Sequence, residues 1–70
     1  METDLSNIDY VPEYGRLLNA SEVAEMLNIS RTFAYKMLRE GEIPSIKLGR
    51  AVRVRSCDLT AFINENVRLD

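Results

Sequence analysis

The chain has 70 residues, 46% of them apolar and 29% charged, with a formal net charge of −2 and a sequence pI of about 5.0. A chain this short can bury only about 60% of its unfolded surface in one small core, and its composition excludes an unstructured polymer. With one cysteine, Cys57, and no histidine, an internal disulfide and the usual zinc constellations are excluded, and the commonest acid-base catalyst is missing.

Residues 1–16, METDLSNIDYVPEYGR, hold four acids and no sustained hydrophobic period, and read as an acidic N-terminal tail. Ile8, Tyr10, Val11 and Tyr14 are apolar enough to cover a groove on a small domain, while the acids suit contact with a partner protein or repulsion of a polyanion. No run of eighteen apolar residues occurs, and the acidic start is unlike a secretory leader, so a cytoplasmic protein with no membrane partner is expected.

Asn19 followed three residues later by Glu22 predicts a capping box at the start of a helix. Leu18 and Val23 take the positions of a hydrophobic staple around that cap, and Ala20, Val23, Ala24 and Leu27 repeat at the spacing of one buried face. Asn28, Ile29 and Ser30 then make the turn. Asn28 tolerates the left-handed conformation that ends a helix, Ile29 is expected in the core, and Ser30 can cap the next helix. In that second helix Ala34, Met37 and Leu38 form an apolar stripe, whereas Arg31, Thr32, Tyr35, Lys36 and Arg39 share about 140° of arc at 100° per residue. Ala24 and Ala34 are small enough for the two helices to cross closely, as a helix-turn-helix requires. Gly41 stops the second helix, with Pro44 beyond it.

The stretch IPSIKLGRAVRVRS alternates, which predicts a two-stranded hairpin bent at Gly49 and Arg50. Ile46, Leu48, Val52 and Val54 are expected on the core side. Lys47, Arg50, Arg53 and Arg55 are expected on the outer side, beside the basic face of the second helix. Such cations also protect an exposed edge strand from aggregation. Ser56 can cap a third helix with Asp58 in its first turn, and Leu59, Phe62, Ile63 and Val67 are its expected buried face. Cys57, at the start of that helix, reads as a small half-buried structural residue.

Charge is unevenly spread along this order. Residues 1–28 carry one Arg against six acids, residues 29–56 carry seven Lys or Arg against two acids, and residues 57–70 carry one Arg against three acids. A local positive face still attracts phosphates, because screening at physiological salt acts over about 8 Å. No nucleophile motif or phosphate-cradling glycine loop is present, so no catalytic residue, cofactor, metal or small-molecule substrate is expected, and the protein does not read as an enzyme.

Through LLNASEVAEMLNISRTFAYKMLREGEIPSIKLGRAVRVRSCDLTAFI the chain resembles the small winged-helix proteins of the excisionase and AlpA type, within the MerR-like superfamily. The likeness runs over the helix-turn-helix, a Gly-x-Ile-Pro exit at Gly41 to Pro44, a Lys-x-Gly wing tip at Lys47 to Gly49, a Val-Arg-Val strand at Val52 to Val54, and an Asp-Leu closing helix at Asp58 and Leu59. It implies an α+β, mostly helical fold: a winged helix-turn-helix over residues 17–67, with a two-stranded hairpin wing, a closing C-terminal helix and a short C-terminal tail at 68–70. It also implies double-stranded DNA as partner, with the second helix in the major groove. The candidate contacts are Ser30, Arg31, Thr32, Tyr35, Lys36 and Arg39 on that helix, and Lys47, Arg50, Arg53 and Arg55 on the wing. Asn28 stands where the family has a turn glycine. Phe33 stands where it has a small polar residue, and is open to three readings: core, thymine-methyl contact or protein interface.

Excisionases are recombination directionality factors that bind in several cooperative copies, bend DNA and assist an integrase; that is the use expected here. The alternative is a small transcriptional regulator of a mobile element or phage. A reading from another class is a protein-interaction adaptor that keeps this fold and holds a partner through Phe33, Tyr35 and the acidic tail.

Overall fold

A computed structural model describes residues 12–69 of the chain. In chain order the elements are β1 (Leu17–Leu18), α1 (Ala20–Leu27), α2 (Arg31–Arg39), β2 (Ile46–Leu48), β3 (Ala51–Arg55) and α3 (Ser56–Glu65). The fold is α+β, a winged helix-turn-helix whose hairpin is joined by a third, two-residue strand into an antiparallel sheet of order β1-β3-β2. Ile8, Tyr10 and Val11, expected to cover a groove, lie outside the described residues.

Local signals set the helix ends. The Asn19 side chain accepts from the Glu22 amide at 2.8 Å, and the Glu22 carboxylate accepts from the Asn19 amide at 2.9 Å, which closes the capping box. At the other end of α1, Asn28 takes left-handed angles (φ 57°, ψ 48°), and the Ile29 amide reaches back to the Ala24 carbonyl at 2.9 Å. This pattern satisfies carbonyls that the helix end would otherwise orphan, and Asn bears the conformation better than most side chains. The exit of α2 repeats it: the Gly41 amide bonds to the Leu38 carbonyl and the Glu42 amide to the Met37 carbonyl.

The core is one cluster drawn from nearly every element: Leu18 from β1, Ala20, Val23 and Ala24 from α1, Ala34, Met37 and Leu38 from α2, Val54 from β3, Leu59 from α3, and Ile43 from the connection. Leu27, Ile29, Val52 and Phe62 pack against its rim. The small side chains of Ala24 and Ala34, both buried, sit where the two helices meet.

Several expectations fail. First, Ile46 and Leu48 do not share a face with Val52 and Val54. The hairpin closes on two residues, so Leu48 pairs with Ala51, Lys47 with Val52 and Ile46 with Arg53. Residues paired across antiparallel strands point to the same side. Lys47 therefore joins the face of Val52, and Leu48 is 53% exposed. Gly49, first in that loop, has φ +65°, as a type II′ turn requires. Second, Ile63 and Val67 are 41% and 55% exposed, because α3 is anchored by Leu59 and Phe62 alone. Third, Cys57 is exposed and not half-buried.

Ser56 also behaves differently from a cap. It is the first residue of α3, and the capping position falls to Arg55, whose side chain makes no capping bond. The amides of Ser56 and Cys57 donate instead to the carbonyls of Arg16 (2.8 Å) and Tyr14 (3.2 Å), so the chain ahead of β1 does the capping. The Ser56 hydroxyl accepts from the Arg16 amide at 2.9 Å and donates to the Tyr14 carbonyl at 3.4 Å. Thus part of the segment expected to be a tail lies against α3. Gly15 (φ +83°) is needed there, since a Cβ would collide with the Ser56 hydroxyl.

Two substitutions probe this order. Asn19→Ala should cost about 1 kcal/mol, the usual value of a lost helix cap, read as a lowered urea midpoint with unchanged slope. Leu59→Ala, at a residue only 1% exposed, should cost about 2–5 kcal/mol. In so small a domain that should leave much of the chain unfolded by circular dichroism.

Candidate nucleic-acid interface

The site is built on α2. Met37 and Ala34 hold one side of this helix in the core, and the turn at Asn28 to Ser30 sets its direction. Ser30 caps it, its Oγ accepting from the Phe33 amide at 3.0 Å. That leaves the hydroxyl hydrogen able to donate outward. Arg31, Thr32, Tyr35, Lys36 and Arg39 are all exposed, in one arc on the side away from the core.

Electrostatics distinguish this helix from its neighbours. The first turn of α1 carries Glu22 and that of α3 carries Asp58, whereas the first turn of α2 has no acid and begins with Arg31. Its positive dipole end is therefore uncompensated, which favours an anion there. Among the described residues, the ion pairs are Arg16 with Glu22 (3.1 Å) and Arg55 with Asp58 (2.7 Å). No described carboxylate neutralises Arg31, Lys36, Arg39, Lys47, Arg50 or Arg53.

Between α2 and the hairpin lies an open cleft of about 380 Å³, lined by Tyr35, Leu38, Arg39, Ser45, Lys47 and Val52. Its apolar floor is Leu38 and Val52, and its walls are a phenol, a hydroxyl and two cations. The hairpin register creates this cleft, because it turns Lys47 toward α2. A second hollow of about 510 Å³ beside the turn is lined by Glu22 and Glu25 as well as Arg31, and the two carboxylates make it a poorer place for a polyanion than the cleft.

The same register divides the expected wing cations. Lys47 faces α2, and Arg50 is exposed at the hairpin tip. Arg53 lies on the opposite face with Ile46, and its Nη1 donates to the Val52 carbonyl at 2.9 Å. Arg55 forms a two-pronged bond to Asp58, Nε to Oδ2 at 2.7 Å and Nη2 to Oδ1 at 2.9 Å. Lys47, Arg53 and Arg55 therefore do not form the single outer row expected of them. Ser45, which lines the cleft, was not among the sequence candidates. Phe33 is 46% exposed, which removes the core reading for it.

The Arg55–Asp58 pair has a pH signature. Hydrogen bonding from Arg55 holds the Asp58 carboxyl below its ordinary value of 3.8. A carboxylate with a lowered folded pKa stabilises the fold above its unfolded pKa, and that contribution disappears as the pH falls through the folded value. Asp58→Asn should therefore lower the melting temperature at neutral pH, with the gap to the parent protein closing as the pH is taken below 3.8. A gap independent of pH would show that packing, not the ion pair, is lost.

A family model described as a helix-turn-helix domain matches residues 17–67. Two curated relatives, from Mycobacterium tuberculosis strains CDC 1551 / Oshkosh and H37Rv, are each 34% identical over 41 residues, which covers 59% of this chain and 53% of theirs. Their names give DNA binding as a provisional assignment. The chain spans about half the length of these relatives. No solved structure matches the chain.

Proposed function

This chain belongs to the helix-turn-helix domain family, and from that premise we propose that it binds double-stranded DNA, with α2 in the major groove and the β2–β3 hairpin against the neighbouring backbone. The observation that carries this reading is the arc of exposed cations and hydroxyls on α2, continued across the cleft by Lys47 and left unneutralised by any described carboxylate. Residues in the first turn of such a helix meet base edges, and those farther along meet the backbone. Arg31, Thr32 and Lys36 are placed to read bases or hold adjacent phosphates. The Ser30 hydroxyl and the Tyr35 phenol donate to phosphate oxygens. Arg39 and Lys47 flank one cleft and can clamp a single phosphate between them, while Arg50 reaches outward from the wing tip. Arg53, on the far face, and Arg55, held by Asp58, fall outside this contact set.

The unit that binds is residues 17–67, acting in the cytoplasm without catalytic residue, metal or cofactor. A single domain of this size spans few base pairs, so useful affinity needs neighbouring copies bound cooperatively or a partner on the same DNA. The resemblance to excisionases supports that arrangement, in which tandem copies bend the duplex and help an integrase assemble for excision. Regulation of transcription by a mobile element or phage would use the same contacts.

Titrating a duplex at several salt concentrations tests the binding. With about 4–6 phosphate contacts, the slope of log K against log salt should lie near −4 to −5. A flat response rejects the proposal. Lys47→Ala and Arg50→Ala should each reduce the slope by about 1, and Arg55→Ala should leave it unchanged. Excision is tested separately, by asking whether a cognate integrase excises its element only when this protein is present and whether the bound duplex is bent.

A further inference from the structure

The sequence leaves one feature of α2 unexplained by either stability or charge. Phe33 is a large aromatic residue in the first turn of the helix, 46% exposed. It contributes little to the core, which is complete on Ala34, Met37 and Leu38 from this helix. Its backbone is fixed, since its amide is bonded by the Ser30 hydroxyl at 3.0 Å, so its side chain projects from a rigid position. At 100° per residue, Phe33 stands about 60° from exposed Lys36 on one side and about 40° from buried Met37 on the other, at the edge of the basic arc. Tyr35, the other exposed aromatic of α2, lies about 160° away by the same geometry. The two therefore do not merge into the contiguous apolar patch that a protein partner on this helix would need.

We propose that Phe33 is a specificity-determining residue that reads thymine, its ring packing on the C5-methyl group exposed in the major groove. The inference rests on the DNA-binding reading above and deepens it. Thymine is the only base that offers a methyl group on that edge, and an apolar side chain is its natural complement. The surroundings bring DNA to the residue. Lys36 follows one turn later on the adjoining edge of the arc, and the first turn holds no acid to repel phosphates. A lone exposed ring beside a cation matches a base edge flanked by backbone. The apolar ring itself carries no charge to exchange with counterions, so its effect is on sequence preference and not on salt response.

The test begins with selection of preferred duplexes from a random library, by the full chain and by Phe33→Ala, after circular dichroism has confirmed that the variant is folded. The full chain should enrich thymine at a position where Phe33→Ala does not. Deoxyuridine is then placed at that position, which removes the methyl group and nothing else. Affinity of the full chain should fall about fourfold, the worth of one buried methyl. Phe33→Ala should not respond, Phe33→Leu should respond as the parent does, and the salt slope should be the same in all three. An equal response to deoxyuridine in parent and Phe33→Ala overturns the assignment, as does a parent with no thymine preference. A variant that changes only self-association, measured by sedimentation without DNA, overturns it in favour of a protein interface. Failure of the parent to bind any duplex would instead remove the underlying reading, and is seen before the variants are compared.

Discussion

Pairing of β3 along both edges is the constraint on which the rest of the molecule depends. One side of the strand holds β1, with Val54 opposite Leu18, and the other holds β2, with Val52 opposite Lys47. Alternation along β3 then leaves no freedom. If Val54 is to be buried between the helices, Arg53 and Arg55 must point away from them. The same strand runs directly into α3, whose first amides are taken by the carbonyls of Tyr14 and Arg16. The sheet thus determines both where the closing helix starts and which wing cation stands beside α2.

How far each feature was legible follows from whether it is local. The two ends of α1 and the start of α2 were readable, since Asn19 with Glu22, Asn28 and Ser30 act on amides within a few residues of themselves. So was the separation of Ala34, Met37 and Leu38 from the exposed arc of α2. β1 was not readable, because two leucines become a strand only when Val54 and Arg55 are alongside. The sides of the hairpin were misread although the signal was present. A loop of two residues at Gly49 and Arg50 sets Leu48 opposite Ala51, and so sets Ile46 opposite Arg53. Alternation of apolar residues within each strand says nothing about how the two strands are phased; the loop length does. Ser56 was misread for a related reason: a serine before a helix suggests a cap, but here the capping groups come from a segment some forty residues earlier, at Tyr14 and Arg16.

The placement of charge carries an energetic tension. The interior is small and built partly from alanines, so the margin of stability is slim. Against that margin, Arg31, Lys36, Arg39, Lys47 and Arg50 stand without a described carboxylate to offset their mutual repulsion, whereas Arg16 and Arg55, away from the cleft, are paired. Such a distribution favours an external anion electrostatically. On the proposed reading, occupation by DNA relieves the repulsion, and the complex is more stable than the isolated chain by mass action.

The hairpin tip projects clear of the packed core. A Cβ at Gly49 would meet nothing within 4 Å, and Arg50 is exposed beside it. Lengthening a surface loop is cheap, about 0.6 kcal/mol for each doubling. An insertion at this corner is therefore expected to lengthen the wing while leaving the folded body untouched.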